Sequence, residues 1–157
     1  MSDLFKKMNL KDQREILVLN APQSFEPELA LLDDIAVRRS VDEISRIVFS
    51  LAFVTTQAEM DHLARTIAQR AEGDVIVWFA YPKARSRNYT CDFNRDTGWA
   101  VMGELGFEGV RQVAIDADWS ALRFRRVEFI RTMKRAKQRR LTDREEKGSN
   151  EAHLSTP

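Results

Sequence analysis

Between Tyr81 and Trp99 the sequence reads YPKARSRNYTCDFNRDTGW. Lys83, Arg85 and Arg87 alternate, and Arg95 precedes Asp96 and Trp99. Alternate residues of an extended segment point the same way, so the three alternating cations are expected to form a row. Such a row holds phosphate or carboxylate groups through charge-assisted hydrogen bonds. Solvation, or pairing with Asp92 or Asp96, is the other use for the same charges. Tyr81, Trp99 and Trp119 supply aromatic walls, with packing as the alternative for both tryptophans. If the site is catalytic, Asp96 or Asp116 is the candidate base and the loop cations stabilise developing negative charge. Residue types and spacing assign no catalytic residue.

Other chemistries find less support. A pyrophosphate-binding turn needs glycines after the first strand, where backbone must approach phosphate closely. The turn here is LNAPQSF, and no glycine occurs before Gly73. A P-loop is excluded for the same reason. Arg38 and Arg39 stand where a ribose-binding acid would be sought. Of the two histidines, His62 falls beside the apolar stripe of a helix and His153 in the polar C-terminal segment. No His/Cys/acid spacing resembles a zinc site, so neither a metal nor a cofactor is expected. Cys91 is the sole cysteine; near Arg87 or Arg95 it would be an activated thiol, and otherwise an incidental one.

The elements that must position these residues follow from hydrophobic periodicity. EILVLNAP from Glu15 reads as a buried first strand, DIAVRRS as a weaker one, and RIVFSLAFV from Arg46 as a third. A short helix is expected after Pro27. Thr56 and Glu59 have capping-box spacing before Met60, Leu63, Ala64 and Ile67, and Gly73 is expected to end that helix. DVIVWFAYP is apolar almost throughout, as in a strand covered on both faces. Asp96 or Thr97 is expected to cap a helix carrying Trp99, Met102 and Leu105, which Gly106 stops. FEGVRQVAID and WSALRFRRV read as an antiparallel hairpin turning at Asp116–Asp118. The expected fold is α/β: a three-layer, mostly parallel Rossmann-like sheet ending in an antiparallel hairpin. In such a sheet ligands sit beyond the carboxyl ends of the strands. That rim gathers Tyr81, Lys83, Arg85, Arg87, Arg95, Asp96, Trp99, Asp116 and Trp119.

With 157 residues, one domain over 1–127 is expected, followed by a basic, polar tail over 128–157. To Leu122 there are 14 Lys and Arg against 19 Asp and Glu; from Arg123 there are 11 against 5. Non-specific, salt-sensitive contact with nucleic acid through the tail is one expectation and a solvated terminus the other. No apolar run approaches the ~20 residues of a membrane span, and the opening residues lack a signal-peptide core. A cytoplasmic location is therefore expected.

The motifs LVLNAP, YPK, RDTGW and GVRQVAIDADWSALRFR resemble a bacterial family of small α/β proteins described as a domain of unknown function. The likeness spans roughly Arg14 to Arg126. It implies an α/β fold in a bacterial cytosolic protein and carries no activity. More distantly, the segment from Val48 to Lys83 and the closing hairpin are similar to a truncated class I methyltransferase fold. The expectation drawn from these readings is a non-enzymatic binder of an anionic small molecule or a protein partner at the sheet's rim. A degenerate methyltransferase-like transferase, or a nucleic-acid-associated protein using the tail, is the alternative.

Overall fold

The computed structural model describes residues 2–94 and 96–131. Its elements in chain order are α1 (Asp3–Lys7), β1 (Glu15–Leu19), α2 (Glu26–Leu29), β2 (Ala36–Arg38), β3 (Ile47–Phe53), α3 (Gln57–Arg70), β4 (Ala71–Pro82), α4 (Ala100–Glu104), β5 (Phe107–Ala114) and β6 (Trp119–Arg126). The six strands form one sheet in the order β2-β1-β3-β4-β6-β5. β1 to β4 run parallel, and β6 inserts antiparallel between β4 and β5. The fold is thus α/β, with a mostly parallel Rossmann-like sheet closed by an antiparallel hairpin.

Alternation along the central strands divides the core into two layers. Leu17, Leu19, Val77, Phe79 and Tyr81 face α3 and α4, where Met60, Ala64, Ile67, Val101 and Met102 meet them. Ile16, Val18, Phe49, Phe53 and Trp78 face α1 and α2, against Phe5, Met8, Phe25 and Leu29. β4 is buried from Val75 through Pro82, which explains its unbroken apolar run. Trp78 is fully buried and donates its Nε1–H to the Met8 carbonyl at 2.9 Å, tying α1 to the sheet.

Local chemistry sets the helix ends. The Thr56 hydroxyl accepts from the Glu59 N–H at 3.1 Å, as the capping pattern predicts. The Glu59 carboxylate reaches one residue further back than expected, to the Thr55 N–H at 2.9 Å. The C-terminal end of α3 differs from the sequence reading. Ala71 is already extended (φ −70°, ψ 136°), so the helix passes straight into β4. Gly73 lies inside β4 with φ +58°. The pairing of β3 with β4 shifts at this point, between Ile47 and Phe49. The glycine therefore serves a bulge rather than a helix stop. At α4 the N-cap is Trp99, with no side-chain cap. Asp96 and Thr97 instead belong to an Asn94-centred turn, in which the Asp96 N–H donates to Asn94 Oδ1 at 2.8 Å. Gly106, at φ +88°, follows α4 as expected.

Residues 127–131 are helical. The basic tail beyond them, with His153, lies outside the described residues. No helix among the described residues is long and apolar enough to cross a membrane.

Candidate functional site

A cleft of about 840 Å³ opens where β4 ends. Its lining includes Tyr81, Lys83, Arg85, Asp96, Gln112 and Ser120. The floor comes from the sheet. Tyr81 of β4 sits opposite Ser120 of β6, and Gln112 of β5 donates its Nε2–H to the Tyr81 hydroxyl at 2.8 Å. The wall comes from the long loop after β4, which crosses the hairpin and returns to α4.

Asp118 anchors that loop. Its carbonyl accepts the Lys83 N–H at 2.7 Å. Its carboxylate accepts from Ser86 Oγ at 2.7 Å and from Asn88 Nδ2 at 3.1 Å. The Ser86 oxygen in turn accepts the Asn88 and Tyr89 N–H groups at 3.2 and 3.1 Å. Tyr89 then packs on Trp119 with ring centroids 4.8 Å apart. The far end of the loop is pinned to α3: the Gln57 N–H donates to Asp92 Oδ1 at 2.7 Å, and Gln57 Nε2 donates to the Gly98 carbonyl at 2.9 Å. Gly98 has φ +90°, and a Cβ there would lie 2.6 Å from the Phe93 ring. The glycine of the RDTGW motif is thus fixed by both backbone and packing.

The structure brings the Tyr81–Trp99 segment and the Asp116–Trp119 corner to one end of the sheet, and it sorts the residues expected there. Tyr81, Lys83, Arg85 and Asp96 line the cleft. Arg87 does not, because the loop is not extended: the Ser86 N–H donates to the Lys83 carbonyl at 3.0 Å, closing a turn that breaks the alternation. Trp99 lies behind the wall, 5.3 Å from the Tyr81 ring and 5.2 Å from that of Phe93. Trp119 is 3% exposed, against Phe53 and Tyr89, so it packs rather than offering a stacking face. Asp116 is also outside the lining; its Oδ1 accepts the Asp118 and Trp119 N–H groups at 2.8 and 2.9 Å and holds the hairpin turn. Arg95 lies outside the described residues.

Sequence reasoning missed Gln112, Ser120 and the anchoring role of Asp118. Hairpin register places the first two, and a short polar side chain next to a tight turn is the one available signal for the third.

The lining carries two cations, Lys83 and Arg85, and two carboxylates, Asp92 and Asp96. Among the described residues, neither Lys83 nor Arg85 has a carboxylate within ion-pair distance. Asp92, one expected partner, is engaged by α3. Burial pushes the Cys91 thiol up, against a hydrogen bond from the Phe93 backbone that pulls it down and together with the Asp92 and Glu59 carboxylates; the net direction is the reverse of an activated thiol. His62 is exposed on α3. No group of three or more metal-ligating side chains occurs among the described residues.

No protein-family model and no curated protein sequence matches the chain. Solved structures share its fold. A SAM-dependent methyltransferase from Aquifex aeolicus is similar at 12% identity and a TM-score of 0.59, over 79% of this chain and 88% of that one. A possible exported protein from Bordetella parapertussis is similar at 11% identity and a TM-score of 0.52, over 78% of this chain and 66% of that one. The chain therefore has the Rossmann-like fold seen in class I methyltransferases.

The switch point of the sheet lies between β1 and β3, and the residues there do not fit S-adenosylmethionine in the manner of that fold. The Asn20 side chain, in a residue at φ +59°, donates to the Phe53 carbonyl at 3.3 Å and to Glu59 at 3.1 Å. It bridges the crevice mouth. Phe25 is 2% exposed and packs edge-on against Phe53, with centroids 5.0 Å apart. Beyond β2, Arg39 clasps Glu26 through contacts of 2.9 and 2.7 Å. A cationic side chain thus stands where a ribose hydroxyl would seek an acid.

Proposed function

We propose that the protein is a non-enzymatic binder of an anionic small molecule in the cleft beyond β4. The carrying observation is the pair of cleft-lining cations, Lys83 and Arg85, that lack carboxylate partners among the described residues. Arg85 offers a planar fork for phosphate or carboxylate and Lys83 a movable point charge. The Tyr81 hydroxyl, Gln112 and Ser120 orient the ligand from the floor. Three rim carboxylates, Asp92, Asp116 and Asp118, are engaged by backbone and loop, and burial pushes the Cys91 thiol up, which supports binding over turnover and leaves Asp96 as the candidate base of the transferase alternative. The segment from YPK to RDTGW, which carries the motif likeness, forms the cleft wall. A protein presenting a terminal carboxylate is the second candidate occupant.

The test is thermal unfolding of the full chain with inorganic phosphate, citrate, ADP and S-adenosylmethionine in turn. A bound anion raises Tm according to RT ln(1 + [L]/Kd). In Lys83→Ala/Arg85→Ala, loss of about 1 kcal/mol per screened cation weakens binding roughly thirtyfold. The unliganded Tm should hold, because the Lys83 contact to Asp118 is through backbone. A shift by S-adenosylmethionine would favour a degenerate transferase instead. An anion-induced shift undiminished in the double variant would remove the site.

A further inference from the structure

A second set of cations lies on the face of the β5–β6 hairpin that continues the α1 side of the sheet. Arg111 and Arg123 are direct cross-strand partners, and Arg125 comes two residues later, on the same face. Like charges directly opposite one another destabilise a strand pair. Here the compensation is partial and comes from Asp74. The Asp74 carboxylate is engaged by Arg125 through contacts of 2.9 and 2.5 Å. Glu108 is level with Arg125, not with the Arg111–Arg123 pair. Among the described residues, neither Arg111 nor Arg123 has a carboxylate within ion-pair distance. Arg123 is half-buried and its Nε is shielded without a partner; burial, then Arg125 and Arg111, disfavour its charge and outweigh the opposing pull of Asp74.

We propose that this face, centred on the opposed pair Arg111 and Arg123, binds the phosphodiester backbone of nucleic acid. The fork of a guanidinium matches phosphate oxygens, and a phosphate between two opposed forks relieves their repulsion. A polyanion fits better than a single small anion because the chain continues in more positive charge. Within five residues of the end of β6 begins a stretch carrying Arg131, Lys134, Arg135, Lys137, Arg139 and Arg140. Among the described residues, the tryptophans on this side, Trp78 and Trp119, are buried and offer no stacking platform. Binding is therefore read as independent of base sequence and steeply salt-dependent.

The experiment is fluorescence anisotropy of a labelled mixed-sequence duplex with the full chain, across a salt series. The wild type is expected to show log K falling linearly with log[salt]. Arg111→Ala, at an exposed position, is expected to make that slope shallower by about 0.9, one phosphate contact. Arg123→Met should weaken binding further. Lys83→Ala/Arg85→Ala should bind the duplex as the wild type does, separating this face from the cleft. Inorganic phosphate should displace the duplex no better than chloride of equal ionic strength. The proposal is overturned if Arg111→Ala keeps the wild-type affinity and slope, which would assign any binding to residues beyond 131. It is equally overturned if millimolar phosphate displaces the duplex specifically, which would make the pair a single-anion site. Arg111→Ala decides the matter even if Arg123→Met fails to fold.

Discussion

Replacing Asp118 with alanine is expected to release the cleft wall. The carboxylate accepts from Ser86 Oγ at 2.7 Å and Asn88 Nδ2 at 3.1 Å, and Ser86 passes the restraint to the Asn88 and Tyr89 amides. Hydrogen bonds to a charged group contribute about 1.5–3 kcal/mol each, and polarised chains exceed the sum of their parts. Asp118 is half-buried, so the lower end applies, giving about 2–3 kcal/mol for the anchor. If the loop opens locally, this lowers protection of the Tyr89 amide in native-state hydrogen exchange roughly 30- to 160-fold. Core amides of β3 and β4 should keep their protection. Asp118→Asn retains an acceptor for Ser86 but turns an NH2 group toward Asn88, so it should lose about half as much free energy. The reasoning fails if Asp118→Ala leaves Tyr89 protection within about threefold of wild type, or if all amides lose protection equally.

Two further outcomes rest on contacts elsewhere in the fold. Gly98→Ala sets a side chain at φ +90° and a Cβ 2.6 Å from the Phe93 ring. It should destabilise by at least ~2 kcal/mol and lower Tm by roughly 4–8 °C. Gly73→Ala meets no atom within 4 Å and should lose only about 1–2 kcal/mol to its φ; equal Tm values for the two variants would contradict the packing argument. Separately, the hydrogen bond from Arg39 holds the Glu26 carboxyl below its ordinary value. Its contribution to stability is therefore present above the ordinary carboxylate range near ~4.3 and is lost as pH falls through the depressed value. NMR titration should find the Glu26 pKa rising to the ordinary range in Arg39→Ala; an unchanged value would refute the pairing.

The strands and their order of appearance were legible because burial on two faces leaves unbroken apolar runs such as VIVWFAY, which local propensity supports. The Thr56 cap was legible because its chemistry is local. What failed was local reading where tertiary contacts decide. Gly73 resembles a helix stop, yet the shifted pairing of β3 with β4 places it in a bulge. Asp96 resembles a cap, yet Asn94 recruits it into a turn. The row of three cations presumed an extended loop, and the Lys83–Ser86 turn removes Arg87 from it. Tyr81, Lys83, Arg85 and Asp96 were found because they lie just past a strand end or border the returning helix. Gln112 and Ser120 were not, since only hairpin register carries them to the Tyr81 hydroxyl.

The most direct measurement is amide chemical-shift mapping by two-dimensional NMR of the full chain, titrated with citrate, inorganic phosphate and ADP. Occupation of the cleft predicts saturable shifts confined to residues 83–96, Gln112 and Ser120, absent in Lys83→Ala/Arg85→Ala. Shifts centred instead on Asn20–Phe25 at the ends of β1 and β3, or no saturable shift within 83–96 for any of the three anions, would contradict it.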